Sequence, residues 1–548
     1  MALTDDITKI IEGDVYADEK TRNVYSRDTS LFKVMPSLVV SPKNTHDIKV
    51  LVEYAGTHPG VTLTARSGGT GMDGGALSES VVLDFTKYFK TIHGFTKDTA
   101  ILDPGAYYRD FEKETKKRNL LMPSYPASKE ICTVGGMVAN NAGGELTLSY
   151  GKTARYVREL SMVLSDGNEY VFRALSHEDL EKKLLEVGFE GDIYRKMYTL
   201  VTENKGTIDR FRPKVSKNSA GYALWDIYDE KKRTFDLTKL FVGSQGTLGL
   251  VTRITFDLIR PPRYSQMIVL FLDSFDRLGE LVEKVLTHRP TTFESYDDKT
   301  LSLAVRFFGG FIRRLGLLKI LSIGFRDIIP AFSVLLHGFP KLVLQITFDG
   351  DDFEVLRRRT YACAVACREY NPRLLRLTTS SAEVDEYWMV RHESFNLLRT
   401  KVKGKQTAPF IDDIVVPPDV LPEFLPKLYA ILDEYKDVLE HNIAGHIGNG
   451  NFHIIPLMNL SDPKAREAIP VIARRVYDLV FSYGGSATGE HNDGIIRTPF
   501  LRQQFGDEMY RLFEETKKIF DPKNIFNPGK KVNGTMEYAV AHISGYNK

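Results

Sequence analysis

Two short stretches near the end of the chain hold the residues best suited to chemistry. Gly445-His446-Ile447-Gly448-Asn449-Gly450-Asn451-Phe452-His453 sets two imidazoles on either side of a Gly/Asn-rich turn. Histidines so spaced can converge on one cation. The second stretch is Gly489-Glu490-His491-Asn492-Asp493-Gly494. Neighbouring side chains of an extended segment point opposite ways. Glu490 then joins His446 and His453 at a metal while His491 faces a substrate, or the reverse. Two histidines and one glutamate with open positions make a catalytic rather than a structural ligand set; the alternative is a polar cluster without metal.

Positioning these residues requires a turn followed by a strand at Ile454-Ile455, and a helix that starts at Ser461-Asp462-Pro463 and stops at Gly484-Gly485. Upstream, the chain is organised around glycine-dense loops. The first is Arg66-Ser67-Gly68-Gly69-Thr70-Gly71-Met72-Asp73-Gly74-Gly75-Ala76, between strand-like Val61–Ala65 and Val81–Phe85. Residues 69–74 match G-x-G-x-x-G, but no helix follows directly, so the Rossmann reading fails. A strand–loop–strand nest gripping a diphosphate fits better, with Arg66 and Ser67 as further donors; a glycine-rich surface turn is the alternative. The second cluster runs through Pro126-Ala127-Ser128 and Gly135-Gly136 to Asn140-Asn141-Ala142-Gly143-Gly144, where paired amides suit the edge of a heterocycle. The third, Gly243-Ser244-Gln245-Gly246-Thr247-Leu248-Gly249-Leu250-Val251, enters a strand at 252–256. Three such loops suggest one extended ligand touched from several sides. A strand at 36–40, a helix capped by Asn44 or Thr45 with Ile48, Leu51, Val52 and Ala55 on one face, and a helix near 107–118 complete the expected frame.

With 548 residues the chain is long enough for two or three domains. Its 73 basic and 71 acidic residues nearly balance, which argues against a nucleic-acid-binding surface. The three cysteines, Cys132, Cys363 and Cys367, suit a reducing compartment and are too few for an iron–sulfur cluster held by this chain alone. No signal peptide and no apolar run of the ~20 residues needed to span a bilayer is evident, so the expected location is cytoplasmic.

The loop series resembles the FAD-binding domain of the vanillyl-alcohol oxidase (p-cresol methylhydroxylase-type) superfamily, and most resembles its bacterial D-lactate, glycolate and D-2-hydroxyglutarate dehydrogenases. The resemblance implies an α+β fold: an N-terminal arm (1–35), a two-lobed FAD-binding domain (36–262), an α+β cap domain with an antiparallel sheet (263–530), a C-terminal helical segment and a tail (531–548). It makes 66–76 the pyrophosphate loop. Pro126, Ser128, Asn141 to Gly144, Tyr150 and Gly151 would lie near the isoalloxazine and ribityl chain, and Gly246 and Val251 on the third loop. Relatives that bond flavin covalently carry a His where this chain has Thr70, which implies dissociable FAD. Gln245 stands where the family usually has Glu.

In the hydroxyacid branch, His-x-Gly-Asp-Gly-Asn-x-His and Gly-Glu-His-Gly imply a divalent metal (Zn, Mn or Fe) on His446, His453 and Glu490, with His491 as general base. Asn449 departs from the motif's Asp. A 2-hydroxyacid would lose its hydroxyl proton to the base while C2 passes hydride to flavin N5. Arg391 matches the family's Trp-x-x-Arg and would pair with the substrate carboxylate. Phe395 and Ile411 replace the Thr and Lys that hold a distal carboxylate, so lactate, glycolate or a larger apolar hydroxyacid is expected over a dicarboxylate. The segment 301–338 is apolar and studded with cations, as in an interfacial membrane contact, a buried cap helix or a partner-docking patch. The C-terminal pattern resembles relatives fused to an iron–sulfur module and stops about where that module would begin, implying an iron–sulfur or quinone-linked acceptor. Two other readings stand beside the dehydrogenase: a non-redox flavin synthase of the alkylglycerone-phosphate type and an electron-relay subunit.

Overall fold

The computed structural model describes residues 2–300, 337–381, 383–385, 387–388, 391 and 404–545. Three sheets carry the architecture. The first is 4-stranded, in the order Asp14–Tyr16, Leu38–Ser41, Val81–Asp84, Leu63–Arg66, and its last three strands are parallel. Every residue of Leu38–Ser41 and Val81–Asp84 is buried, as parallel strands covered on both faces require. The helix Thr45–Thr57 packs on this sheet. Asn44 caps it by accepting from the Asp47 amide at 3.0 Å, and Ile48, Leu51, Val52 and Ala55 form its buried face.

The second sheet is 5-stranded and antiparallel, in the order Ile92–Phe95, Thr99–Leu102, Leu250–Asp257, Val157–Val163, Glu169–Arg173. The expected helix near 107–118 is Tyr108–Lys116. The second glycine cluster, by contrast, contains a helix, Val134–Asn140, capped by Thr133. Val134, Met137 and Val138 give it a buried apolar side, and Gly135 lets it approach Pro104, whose carbonyl a Cβ would meet at 2.6 Å.

From Asp257 the chain crosses to the third, 8-stranded sheet, which it enters at Tyr264. The order is Leu374–Leu377, Tyr264–Leu272, Leu342–Gly350, Thr292–Asp297, Glu440–His446, Asn451–Met458, Gln406–Thr407, with Ile414–Val415 also on Asn451–Met458. One face is apolar: Ile268, Leu270, Ile346 and Ile454 pack against helices Leu278–Thr287, Phe353–Cys367, Leu421–Asp433 and Pro463–Ser482. The opposite face mixes Met267, Val269, Tyr296, Val343 and Ala444 with buried polar side chains, among them Glu294, Gln345 and His446. That alternation is the period-two signature of a sheet whose second face serves a site.

The chain end returns to the first lobe. Asn527 donates to the carbonyls of Gly75 and Gln245 at 2.8 Å each, and Lys530 to that of Leu77 at 2.8 Å. Of the apolar–basic stretch, residues 301–336 lie outside the described residues. Among the described residues no helix is long and apolar enough to cross a membrane.

Candidate active site

The hairpin Glu440–His446/Asn451–Met458 sets His453 opposite Ala444 and Asn451 opposite His446, so both histidines lie on the polar face. Its turn closes on Gly450, at φ +64°, where a Cβ would fall 1.8 Å from the Val416 carbonyl oxygen; only glycine fits. Glu490 and His491 do not sit on an extended segment with opposed side chains, as the sequence suggested. Their segment bends around Asp413, whose Oδ2 accepts from Thr488 Oγ1 (2.5 Å) and from the amides of Glu490 (2.9 Å) and His491 (2.7 Å). Both side chains consequently line one cavity. Asp413 itself adopts φ +71°, the left-handed region that a non-glycine residue enters only when its surroundings over-determine it.

Glu490 Oε1 lies 3.3 Å from both His446 Nε2 and His453 Nε2. That is about the edge expected between ligands sharing a tetrahedral ion with bonds of ~2.0–2.1 Å. Asp413, His453, Glu490 and His491 also have ligand atoms within 4.8 Å of one another. Asp413 makes the poorer ligand, because Asn451 Nδ2 (2.9 Å) occupies its other oxygen. His446, His453 and Glu490, the set expected from the sequence, meet at Glu490 Oε1 and would also suit a divalent cation. His446 Nδ1 contacts Glu294 (2.7 Å), and Glu294 also pairs with Arg391 Nη2, so one buried carboxylate orients both His446 and the arginine. The Arg391 guanidinium and the His446 ring hold the Glu294 carboxyl below its usual range despite burial.

Asp412 forms the other support. Its Oδ1 lies 3.1 Å from His453 Nδ1, and its Oδ2 3.1 Å from His491 Nδ1, the latter out of line for a hydrogen bond. Burial opposes ionisation here, but the two imidazoles keep the carboxyl well below the usual range. Burial would likewise depress His453, yet Asp412 and Glu490 bring it up to about 10; Asp413 and Asp412 raise His491 against the same burial. Lys217, fully buried, donates to Glu490 Oε2 (2.9 Å) and Asn451 Oδ1 (3.2 Å). Lys152 ties Gly489 in place through its carbonyl (2.6 Å), and burial brings its own pKa down to about 7. Asn449, the departure from the acidic motif, turns to Ser216 Oγ (2.9 Å).

The same cavity runs along the glycine loops. Ser67, Gly68, Gly69, Thr70, Gly71 and Gly75 line it, as do Pro126, Ser128, Gly135, Gly136, Asn140, Ala142, Gly143, Gly246 and Val251, and then Arg391, His446, His453, Glu490 and His491. Among the described residues, no backbone N–H from Ser67 to Gly71 donates to a protein acceptor, leaving a row of donors for an anionic ligand. At Gly136 a Cβ would meet nothing nearer than Thr133 Oγ1 at 3.6 Å and Ser67 Cβ at 3.9 Å, so it would enter the cavity itself. A long diphosphate-bearing ligand such as FAD fits these features.

Five expected cofactor residues lie outside the cavity lining. Arg66 turns under its loop, donating to the carbonyls of Arg27 and Tyr25 (3.3 Å to the latter). Gly74 packs towards Phe32 and Ile495. Asn141 ends the helix in the left-handed region and accepts from the Ala154 amide at 2.9 Å. The Tyr150 carbonyl takes the Tyr156 hydroxyl at 2.6 Å, and Gly151, at φ +77°, closes a short helix. Asp412, Glu294, Lys217 and Asp73 were not singled out from sequence. The acid pair Asp412-Asp413 before an apolar run was the one available signal.

Comparison with known proteins identifies the domains. Residues 36–172 match the FAD-binding domain model and residues 261–531 the model of the FAD-linked oxidase C-terminal domain. The chain belongs to the FAD-linked oxidases. It is 26% identical over 533 residues to D-2-hydroxyglutarate dehydrogenase of Escherichia coli, covering 94% of this chain and 50% of that protein. It is 25% identical to the glycolate oxidase subunit GlcD of Bacillus subtilis (93% and 92% covered) and 26% identical to D-lactate dehydrogenase of Archaeoglobus fulgidus (97% and 99%). The chain spans about half the length of curated relatives such as the E. coli protein. In fold it is similar to p-cresol methylhydroxylase with substrate bound, at TM-score 0.67 and 13% identity (97% and 96% covered). It is also similar to 4-ethylphenol oxidase from Gulosibacter chungangensis, at TM-score 0.66 and 15% identity (98% and 98%).

Proposed function

We propose that this flavoprotein oxidises a monocarboxylic 2-hydroxyacid to the 2-oxo acid, using non-covalently held FAD and a divalent metal on His446, His453 and Glu490. One observation carries the reading: a single cavity joins the unpaired N–H row at Ser67–Gly71 to the histidine–glutamate cluster and Arg391. When bound, FAD accepts the C2 hydride and the metal lowers the energy of the developing alkoxide.

The chain's own groups do the rest. Arg391, steadied by Glu294, binds the substrate carboxylate and fixes the direction of C2. His491 takes the hydroxyl proton, and the Asp412 and Asp413 carboxylates that raise its pKa also make it a stronger base. Asp412 holds the His453 and His491 rings from behind. Thr70, which offers no imidazole for a covalent link, supports dissociable flavin. A cytoplasmic location suits the three cysteines, which are free and buried. The electrons then pass to an iron–sulfur or quinone-linked acceptor, and rapid turnover of the purified chain with oxygen alone would refute that step.

The deciding experiment is anaerobic bleaching of the bound flavin by a panel of D- and L-2-hydroxyacids, with and without chelator. Bleaching that the chelator abolishes and added metal restores is expected. A flavin that no hydroxyacid reduces overturns the dehydrogenase reading in favour of a synthase or relay role. Chelator-insensitive bleaching removes its metal half.

A further inference from the structure

Beside Glu294 and Arg391, the polar face of the third sheet carries side chains that nothing so far explains. Gln345 is fully buried, yet neither its Oε1 nor its Nε2 has a hydrogen-bond partner. Thr347 and Thr292, 3% and 1% exposed, have unpartnered hydroxyls as well. Register makes these three one group: Gln345 lies opposite Glu294, and Thr347 opposite Thr292 on the adjoining strand. Cross-strand partners stand about 5 Å apart, and residues two positions along a strand roughly 7 Å. The row therefore begins beside the carboxylate that steadies Arg391 and leads away from it. Thr292 and Thr347 are among the residues lining a cleft of about 480 Å³ between the FAD-binding lobe and the sheet, their hydroxyl oxygens buried in its wall.

Buried polar groups are normally satisfied, and leaving four such atoms unmade in one row is costly unless a ligand completes them. The chemistry of the row limits that ligand. A carboxamide and two hydroxyls both donate and accept, so they match a group that does the same. The cleft is also lined by Glu145, Asp349 and Asp385, while its one lysine, Lys129, is already paired with Glu112 at 3.1 Å. Ile411, in the place from which a lysine would reach a distal carboxylate, is packed in the apolar core. An anionic tail finds no free cation among these described side chains, and an apolar tail would leave the row unsatisfied.

We infer that Gln345, Thr347 and Thr292 form the subsite for the substrate's tail, and that the substrate is a 2-hydroxyacid with an uncharged, hydroxylated chain, of the aldonic-acid class. The inference rests on the hydroxyacid reading above and corrects its expectation of an apolar tail.

The test is anaerobic flavin reduction by the FAD- and metal-loaded protein. Glycerate and four- to six-carbon aldonic acids are compared with their deoxygenated counterparts, lactate, 2-hydroxybutyrate and 2-hydroxyhexanoate, and with 2-hydroxyglutarate. A site built to bond hydroxyls should favour the hydroxylated acids in kcat/KM by at least ~10²-fold. Thr347→Val, an isostere without the hydroxyl, should cut that ratio at least ~10-fold, and Gln345→Leu further. Calorimetry of the hydroxylated 2-oxo acid products, set against the unsubstituted 2-oxo acids, gives a second readout without turnover: the preference should weaken in the same variants. If Gln345→Leu fails to fold, Thr347→Val alone decides. Lactate or 2-hydroxyglutarate as the preferred substrate, or an unchanged ratio in Thr347→Val, overturns the inference while the dehydrogenase reading stands. Failure of every acid to reduce the flavin overturns both.

Discussion

Asp412→Asn isolates the part of the site that works through orientation. The native carboxylate has one oxygen 3.1 Å from His453 Nδ1 and the other 3.1 Å from His491 Nδ1, in a buried setting. One oxygen accepts from His453 Nδ1, and the other faces His491 Nδ1 as a charge, out of line for a hydrogen bond. An asparagine keeps the shape but removes the charge facing His491, and where its NH₂ turns to His453 that ring must reverse its tautomer or swing away. The lost charge matters as well. At 3.1 Å and an effective dielectric of about 20, each carboxylate–imidazolium contact is worth on the order of 5 kcal/mol before desolvation. In a serine-protease triad the equivalent Asp-to-Asn change slows turnover about 10⁴-fold. Here the flavin-reduction rate constant should fall about 10²–10⁴-fold, roughly 3–5 kcal/mol at 1.36 kcal/mol per decade. Stopped-flow flavin bleaching under anaerobic single turnover measures it, and bound FAD content, determined on the same sample, serves as the control. The inflection set by His491 should also move to lower pH, since one of the two carboxylates that raise it is gone. A variant that binds FAD normally and is reduced within threefold of the native rate would refute the argument.

Two further predictions concern charge. Gln245→Glu removes the amide that donates to buried Asp73 and sets two carboxylates together, so one must stay protonated with a raised pKa. A raised folded-state pKa gives stability that is lost as pH rises, so the deficit, about 2–4 kcal/mol at neutral pH, should be larger at pH 8 than at pH 5.5 by urea unfolding; a flat profile contradicts it. Metal uptake should release close to one proton below pH 8, because His453, raised to about 10 without metal, must surrender its proton to ligate; titration in buffers of differing ionisation enthalpy tests this, and pH-independent affinity counts against it.

The parts of this protein that were legible in the sequence are those encoded locally. The Asn44 cap and the spacing of Ile48, Leu51, Val52 and Ala55 specify a helix without help from the rest of the chain. The glycine loops and the His–turn–His hairpin announce themselves by composition. What sequence reasoning missed is non-local. Arg66 looked like a phosphate donor because it begins the loop, but the carbonyls of Arg27 and Tyr25 claim its guanidinium from a segment about 40 residues earlier. Glu294 reaches Arg391 and His446 only because sheet pairing brings Ser295 against Gly445. Most telling is Asp413. It accepts from the Glu490 and His491 amides and so bends a segment that period-two reasoning treated as straight. Had that segment been extended, Glu490 and His491 would face opposite sides and could not both reach the cavity. The bend comes from one buried carboxylate in a left-handed conformation, a cost borne where the Glu490 and His491 side chains share one cavity. The same logic applies to Gln345, Thr347 and Thr292. Each looks unremarkable within its own strand, and their joint meaning appears only when register sets them in one row beside Glu294.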